Sequence, residues 1–96
     1  MASYRLSEVA KGDLIRIHQY GVRQFGEQQA DRYYFAFFDQ FDQIANQPLA
    51  YPAVDQIRQG YRRCVCGVDA IYYRISNGVV EIMSIIGRQD LDDALL

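Results

Sequence analysis

The 96-residue sequence has no tryptophan, one lysine (Lys11), one histidine (His18) and two cysteines, Cys64 and Cys66. The lone histidine lies far from the cysteines, so the Cys-x-Cys pair lacks the two further ligands a zinc site needs. A disulfide between residues so close in sequence would be strained. The expectation is two reduced cysteines on one face of a strand, acting as small hydrophobes, with no metal and no cofactor. No apolar run approaches the roughly 18 residues that cross a bilayer. The opening Met1-Ala2-Ser3-Tyr4-Arg5-Leu6 also lacks the apolar stretch of a signal peptide. A cytoplasmic protein with no membrane partner is expected. Charge of one sign is lacking too. Ten Lys and Arg against twelve Asp and Glu leave a net charge of −2, which argues against direct binding of nucleic acid.

Half of the residues are hydrophobic, and eight Tyr with five Phe supply the aromatics, so a core is affordable and the length suits a single domain over residues 1–96. Arginine and tyrosine are both suited to protein interfaces. A chain this short buries only about 60–65% of its unfolded surface, leaving room for a stabilising partner.

Tyr4 and Leu6 alternate with polar neighbours as a short strand would. Ser7 is placed to cap a helix whose first turn carries Glu8. At about 100° per residue, Ala10, Leu14, Ile17, Gly21 and Phe25 share one side of that helix. Ile15 and Val22 widen that side, while Asp13, Arg16, Gln19, Tyr20 and Arg23 face away. Gly21 lies in the apolar arc and would allow a neighbouring helix to approach. Gly26 ends the helix, and a second runs from about Glu27 to Asn46 with Ala30, Tyr33, Tyr34, Phe37, Phe38, Phe41, Ile44 and Ala45 on its apolar face. So short a link predicts an antiparallel helical hairpin.

Pro48 stops the second helix, and Leu49 to Gln59 reads as a connector. From Tyr61 the period is two, with strands over Tyr61–Cys66, Ala70–Ile75 and Val79–Ile86. Asn77-Gly78 between the last two favours a type I′ hairpin. A polar tail from Gly87 ends in Leu91, Ala94, Leu95 and Leu96. The order β-α-α-β-β-β defines an α+β domain with a helical hairpin on one face of a small, mainly antiparallel sheet.

These residues resemble the ParE branch of the RelE/ParE toxins. The resemblance begins at Tyr4-Arg5-Leu6-Ser7, Ala10, Asp13-Leu14, Ile17 and Tyr20, and continues through Gly26, Gln29-Ala30, Tyr33, Phe41, Ala45 and Pro48. It is densest in Ile57-Arg58-Gln59-Gly60-Tyr61-Arg62, Ile71-Tyr72-Tyr73-Arg74 and Ile85-Ile86-Gly87-Arg88-Gln89-Asp90. It implies the toxin of a type II toxin–antitoxin pair, not an enzyme, which inhibits DNA gyrase through its A subunit. A partly disordered, ParD-like antitoxin would neutralise it. The RelE branch shares the fold but cleaves ribosome-bound mRNA, and a detoxified antitoxin-binding module is a third alternative.

RNA cleavage needs a base, an acid and positive charge at the phosphate. Arg62, Arg63, Arg74 and Arg88 could supply charge. However, no histidine follows His18, no lysine follows Lys11 and no tyrosine follows Tyr73. The sequence also has Asp69-Ala70, Gly87 and Gln89 where many ParE-like chains have histidine, histidine and methionine. The resemblance suggests Arg58, Arg62 and Arg74 as partners for acidic groups of the antitoxin, with Asp69, Glu81 and Asp90 as alternative partners inside the chain. Tyr72 and Tyr73 should point to opposite sheet faces, one beneath the helices and one outward, where an antitoxin could cover it. Phe35 falls outside the apolar arc among Asp31, Asp39 and Asp42. It is a candidate antitoxin contact, unless it packs on Leu49 or Tyr51. His18 borders the apolar face and is expected to be at least half-buried. Arg88, Asp90 and Leu91 are candidates for target binding and toxicity.

Overall fold

A computed structural model describes residues 3–87 of the chain, so Arg88, Asp90 and Leu91 lie outside the described residues. From the amino terminus the elements are β1 (Tyr4–Leu6), α1 (Glu8–Phe25), α2 (Glu27–Asn46), β2 (Arg62–Cys66), β3 (Asp69–Ser76) and β4 (Val79–Gly87). The sheet order is β1-β4-β3-β2, with β1 parallel to β4 and the other pairs antiparallel. This is the expected α+β class and element order.

Local chemistry accounts for the boundaries. Ser7 caps α1 by accepting the amide of Ala10 on its hydroxyl at 3.0 Å. Gly26 alone joins the helices, donating its N–H to Val22 O at 3.0 Å and accepting from Ala30 N at 3.1 Å. A β-carbon on Gly21 would lie 3.1 Å from Cβ of Ala30, so the absence of a side chain there sets the close approach of the two helices. Asn77 (φ 52°) and Gly78 (φ 76°) carry the two positive φ angles of the expected hairpin turn.

The core lies between the hairpin and one sheet face. Leu14 and Ile17 of α1 and Phe37, Phe41 and Ile44 of α2 meet Cys64, Ile71, Tyr73, Val80, Ile82 and Ile85 from the strands. The buried stripe of α1 ends at Ile17, because the rest of the helix overhangs the sheet and leans on α2. Val22 and Phe25, expected on the buried side, are therefore exposed. Ile15, placed at the edge of that side, is exposed as well because the buried stripe is narrower than the arc of apolar residues. Cys66 packs beside Cys64 against the core, and both are free thiols.

A bulge in β4 decides how α1 is fastened. Tyr72 pairs with Ser84 but Tyr73 pairs with Ile82, which leaves Met83 as an extra residue. Ile82 and Ile85, three apart, can then both face the helices, and both are fully buried. β1 pairs with β4 only over residues 80–82. Beyond that point α1 supplies the missing partners. Ser7 donates its amide to Ile82 O at 3.0 Å and its hydroxyl to Met83 O at 2.8 Å. Asp13 Oδ2 accepts the Ile85 amide at 2.9 Å, and Arg16 Nη2 donates to Ile85 O at 3.4 Å. Asp13 and Arg16 were expected to face away from the fold. They turn to β4 because an unpaired strand edge holds polar backbone groups that need partners.

Burial pushes the Cys64 thiol up to about 11 and the Tyr73 hydroxyl up to about 12, where Arg62 opposes the shift. An unfolded chain begins to lose these protons near 9 and 10. The contribution of each group to stability is complete below its unfolded value and is lost as pH rises through its folded one. The melting temperature should therefore fall as pH is raised from 9 to 12. An unchanged melting temperature over that range would contradict the burial of both groups.

Candidate protein interface

The overhang of α1 leaves an open groove of about 960 Å³ between the joined end of the hairpin and the β2–β3 turn. Ile17, Tyr20, Phe25, Tyr33 and Val68 line it, with Arg16 and Arg32 among its polar walls. Tyr20 is 53%, Phe25 60% and Val68 80% exposed, which is a large apolar display for so small a fold. One wall is rigidly built. The single Tyr33 hydroxyl proton is shared between Asp69 Oδ2 at 2.7 Å and Cys66 O at 2.9 Å, and the oxygen accepts the Val68 amide at 3.3 Å. Burial and then the Asp69 hydrogen bond push the pKa of Tyr33 well up, so its proton stays in place. Gly67 (φ 62°) passes directly over this ring, where a β-carbon would come 2.5 Å from Tyr33 Cε1. On the outer side of the hairpin, half-buried His18 places Nε2 2.7 Å from Asp31 Oδ1 and its ring edge-on to Tyr34.

Among the described residues, those nominated from the sequence do not line this groove, and they do not form one site. Phe35 is exposed on α2 with its ring against Tyr34, at 5.7 Å between centroids. Arg58 lies over the ring of Tyr61 at 5.6 Å. Arg62 donates to Tyr51 O at 2.6 Å, so its guanidinium ties β2 to the connector. Arg74 Nε donates to Glu81 Oε1 at 3.0 Å, the intramolecular alternative for that arginine. Arg5, on the other neighbouring strand, also reaches Glu81, at 3.7 Å. Strand alternation places Arg62 with Tyr73 on the helix side, and Arg63, Tyr72 and Arg74 on the other. The sheet thus separates Arg62 from Arg74.

Tyr73 packs beneath the helices and donates to Pro48 O at 2.6 Å. Tyr72 does not join that cluster, but the expectation of an outward, uncovered ring fails, since it is only 2% exposed. It lies between cross-strand partners Arg63 and Ser84, in the middle of the sheet, where neighbouring side chains cover most of a ring.

Tyr20 and Val68 were not foreseen as interface residues. For Tyr20 the available signal was an aromatic on the polar side of a helix. For Val68 it was an apolar residue in a tight turn. Among the described residues no cluster of three or more metal-ligating side chains occurs. No helix among them is long and apolar enough to cross a membrane.

A family model for the ParE toxin of type II toxin–antitoxin systems matches residues 4–91. The chain is 37% identical over 87 residues to Toxin ParE1 of Caulobacter vibrioides, covering 90% of this chain and 88% of that protein. It is 30% identical over 91 residues to Toxin ParE1 of Mycobacterium tuberculosis, covering 93% of each. Among solved structures, the chromosomal ParDE system from P. aeruginosa superposes with a TM-score of 0.80 at 17% identity, covering 91% of this chain and 96% of that one. The toxin-antitoxin complex RelBE2 from Mycobacterium tuberculosis gives 0.69 at 18% identity, covering 91% and 98%. These two likenesses are of fold. With the family match spanning nearly all of the chain, this protein belongs to the ParE toxins of type II toxin–antitoxin systems.

Proposed function

We propose that this toxin acts in the cytoplasm by binding the A subunit of DNA gyrase and holding its cleaved-DNA intermediate, with no chemistry of its own. A cognate ParD-like antitoxin neutralises it by laying an apolar segment in the groove beside Tyr20, Phe25 and Val68. The groove is the observation that carries this reading. It exposes aromatic and aliphatic side chains next to Arg16 and Arg32, the arrangement that takes an amphipathic segment with acidic flanks. Holding one state of a target requires only that the toxin bind that state more tightly than the others.

The titratable groups favour binding over catalysis. A general acid or base works best with a pKa near the operating pH. Burial instead drives Tyr33, Tyr73, Cys64 and Cys66 upward, away from neutrality. Arg62 and Arg74 are held by Tyr51 O and Glu81. Purified toxin freed of antitoxin should inhibit gyrase supercoiling or accumulate cleaved DNA while leaving ribosome-bound mRNA intact. Cleaved mRNA with unaffected gyrase would establish the nuclease alternative, and silence in both assays would leave a detoxified module.

A further inference from the structure

We propose that the helix-free face of the sheet holds a receiving site for a single carboxylate, supplied by an acidic side chain of the protein partner. A small cavity of about 180 Å³ opens there, bordered by Arg63, Val65, Val68, Asp69, Tyr72 and Ile86. It shares the β2–β3 turn with the apolar groove but is a separate space on the other side of Asp69.

Tyr72 is only 2% exposed, yet among the described residues its hydroxyl has no hydrogen-bond partner. Buried hydroxyls are nearly always paired, so an isolated one marks a position where an acceptor belongs. The other buried tyrosine of this strand, Tyr73, has its acceptor in Pro48 O. Arg63 is the direct cross-strand partner of Tyr72, which sets the two side chains next to each other. Among the described residues no carboxylate pairs with Arg63, whereas Glu81 holds Arg74 and Arg5 on the same face.

A phenol donates one hydrogen bond and a guanidinium donates several in a plane, so the two together match the two oxygens of a carboxylate. Arg63 borders the cavity, and for a ligand to reach the closed hydroxyl its side chain would have to swing aside. Asp69 sets the charge limit. The residue lines the turn end of the cavity while its carboxylate is held by Tyr33 on the helix side, and that nearby negative charge repels a doubly charged phosphate more than a singly charged carboxylate. The volume suits one glutamate or aspartate side chain. This assignment rests on the proposed antitoxin reading for the identity of the partner, but the site can be tested on the toxin alone.

The full chain is titrated with N-acetyl-glutamate N-methylamide, with the glutamine analogue and with inorganic phosphate, following the Tyr72 ring and Arg63 side-chain resonances by NMR. The glutamate probe should shift both sets of signals, and the other two should not. Tyr72→Phe and Arg63→Gln should each weaken that binding about tenfold, as expected for loss of one charge-assisted contact. In the unliganded protein, Tyr72→Phe should leave the melting temperature unchanged or raise it, because the hydroxyl removed had no partner. A lower melting temperature for Tyr72→Phe, stronger binding of phosphate, or no shift with the glutamate probe would each overturn the site. None of these outcomes bears on gyrase inhibition, which the supercoiling assay decides separately.

Discussion

Replacing Phe41 with alanine is expected to cost about 3–5 kcal/mol of folding stability, the usual loss for emptying a fully buried phenylalanine site. Phe41 is fully buried, and its ring meets Tyr4 of β1 at 5.3 Å and Phe38 at 5.4 Å between centroids. It therefore joins the amino-terminal strand to α2 as well as filling volume. Small domains hold only about 5–15 kcal/mol in total, so this one truncation would consume a large share. Urea denaturation should show a much lower midpoint with an unchanged slope. A loss under about 1 kcal/mol would mean that the aromatic cluster is not the centre of the core.

Tyr33→Phe is the second large effect. It removes only an oxygen, but that oxygen serves Asp69, the Cys66 carbonyl and the Val68 amide at once. Asp69 is 8% exposed, so its carboxylate would lose its hydroxyl donor inside the fold. Leaving such a charged group unsatisfied costs about 2–3 kcal/mol. The damage should concentrate at the β2–β3 turn, where amide exchange at Val68 and Asp69 would quicken more than in the helices. Because Val68 forms one lip of the groove, affinity for the antitoxin should fall as well. Full stability in Tyr33→Phe would show that the hydroxyl is not the brace described here.

The elements most legible in the sequence were those set by short-range rules. Ser7, Gly26 and Asn77-Gly78 marked caps and turns, and each does so in the structure. Helical periodicity also identified Phe37 and Phe41 as inward-facing, whereas strand alternation set Tyr72 and Tyr73 on opposite faces without telling which lay beneath the helices. The bulge at Met83 left no such trace, since it depends on how β3 and β4 register across the sheet. Without it Asp13 looks like an ordinary solvent-facing carboxylate. With it, Asp13 becomes the partner of a strand amide. The interface was harder to read for the same reason. Exposure of Phe25 follows from where the sheet ends beneath α1, which no local pattern encodes. Phe35 was recognisable as exposed because its helix neighbours are acidic. The roles of Arg62 and Arg74 required knowing which carbonyl or carboxylate lies opposite each.

The parallel pairing of residues 4–6 with 80–82 ties β1 to a strand far along the sequence, β4. β4 is also an inner strand of the sheet, flanked by β1 and β3. During synthesis the helical hairpin and the β2–β3 pair emerge while the place of β4 is still empty. Contacts so distant in sequence close late and slowly. A nascent chain still lacking residues beyond Ser76 has neither its finished sheet nor the anchor points for Ser7 and Asp13. The sheet, and with it the anchor points for Ser7 and Asp13, is therefore complete only once β4 has been made and has inserted between β1 and β3.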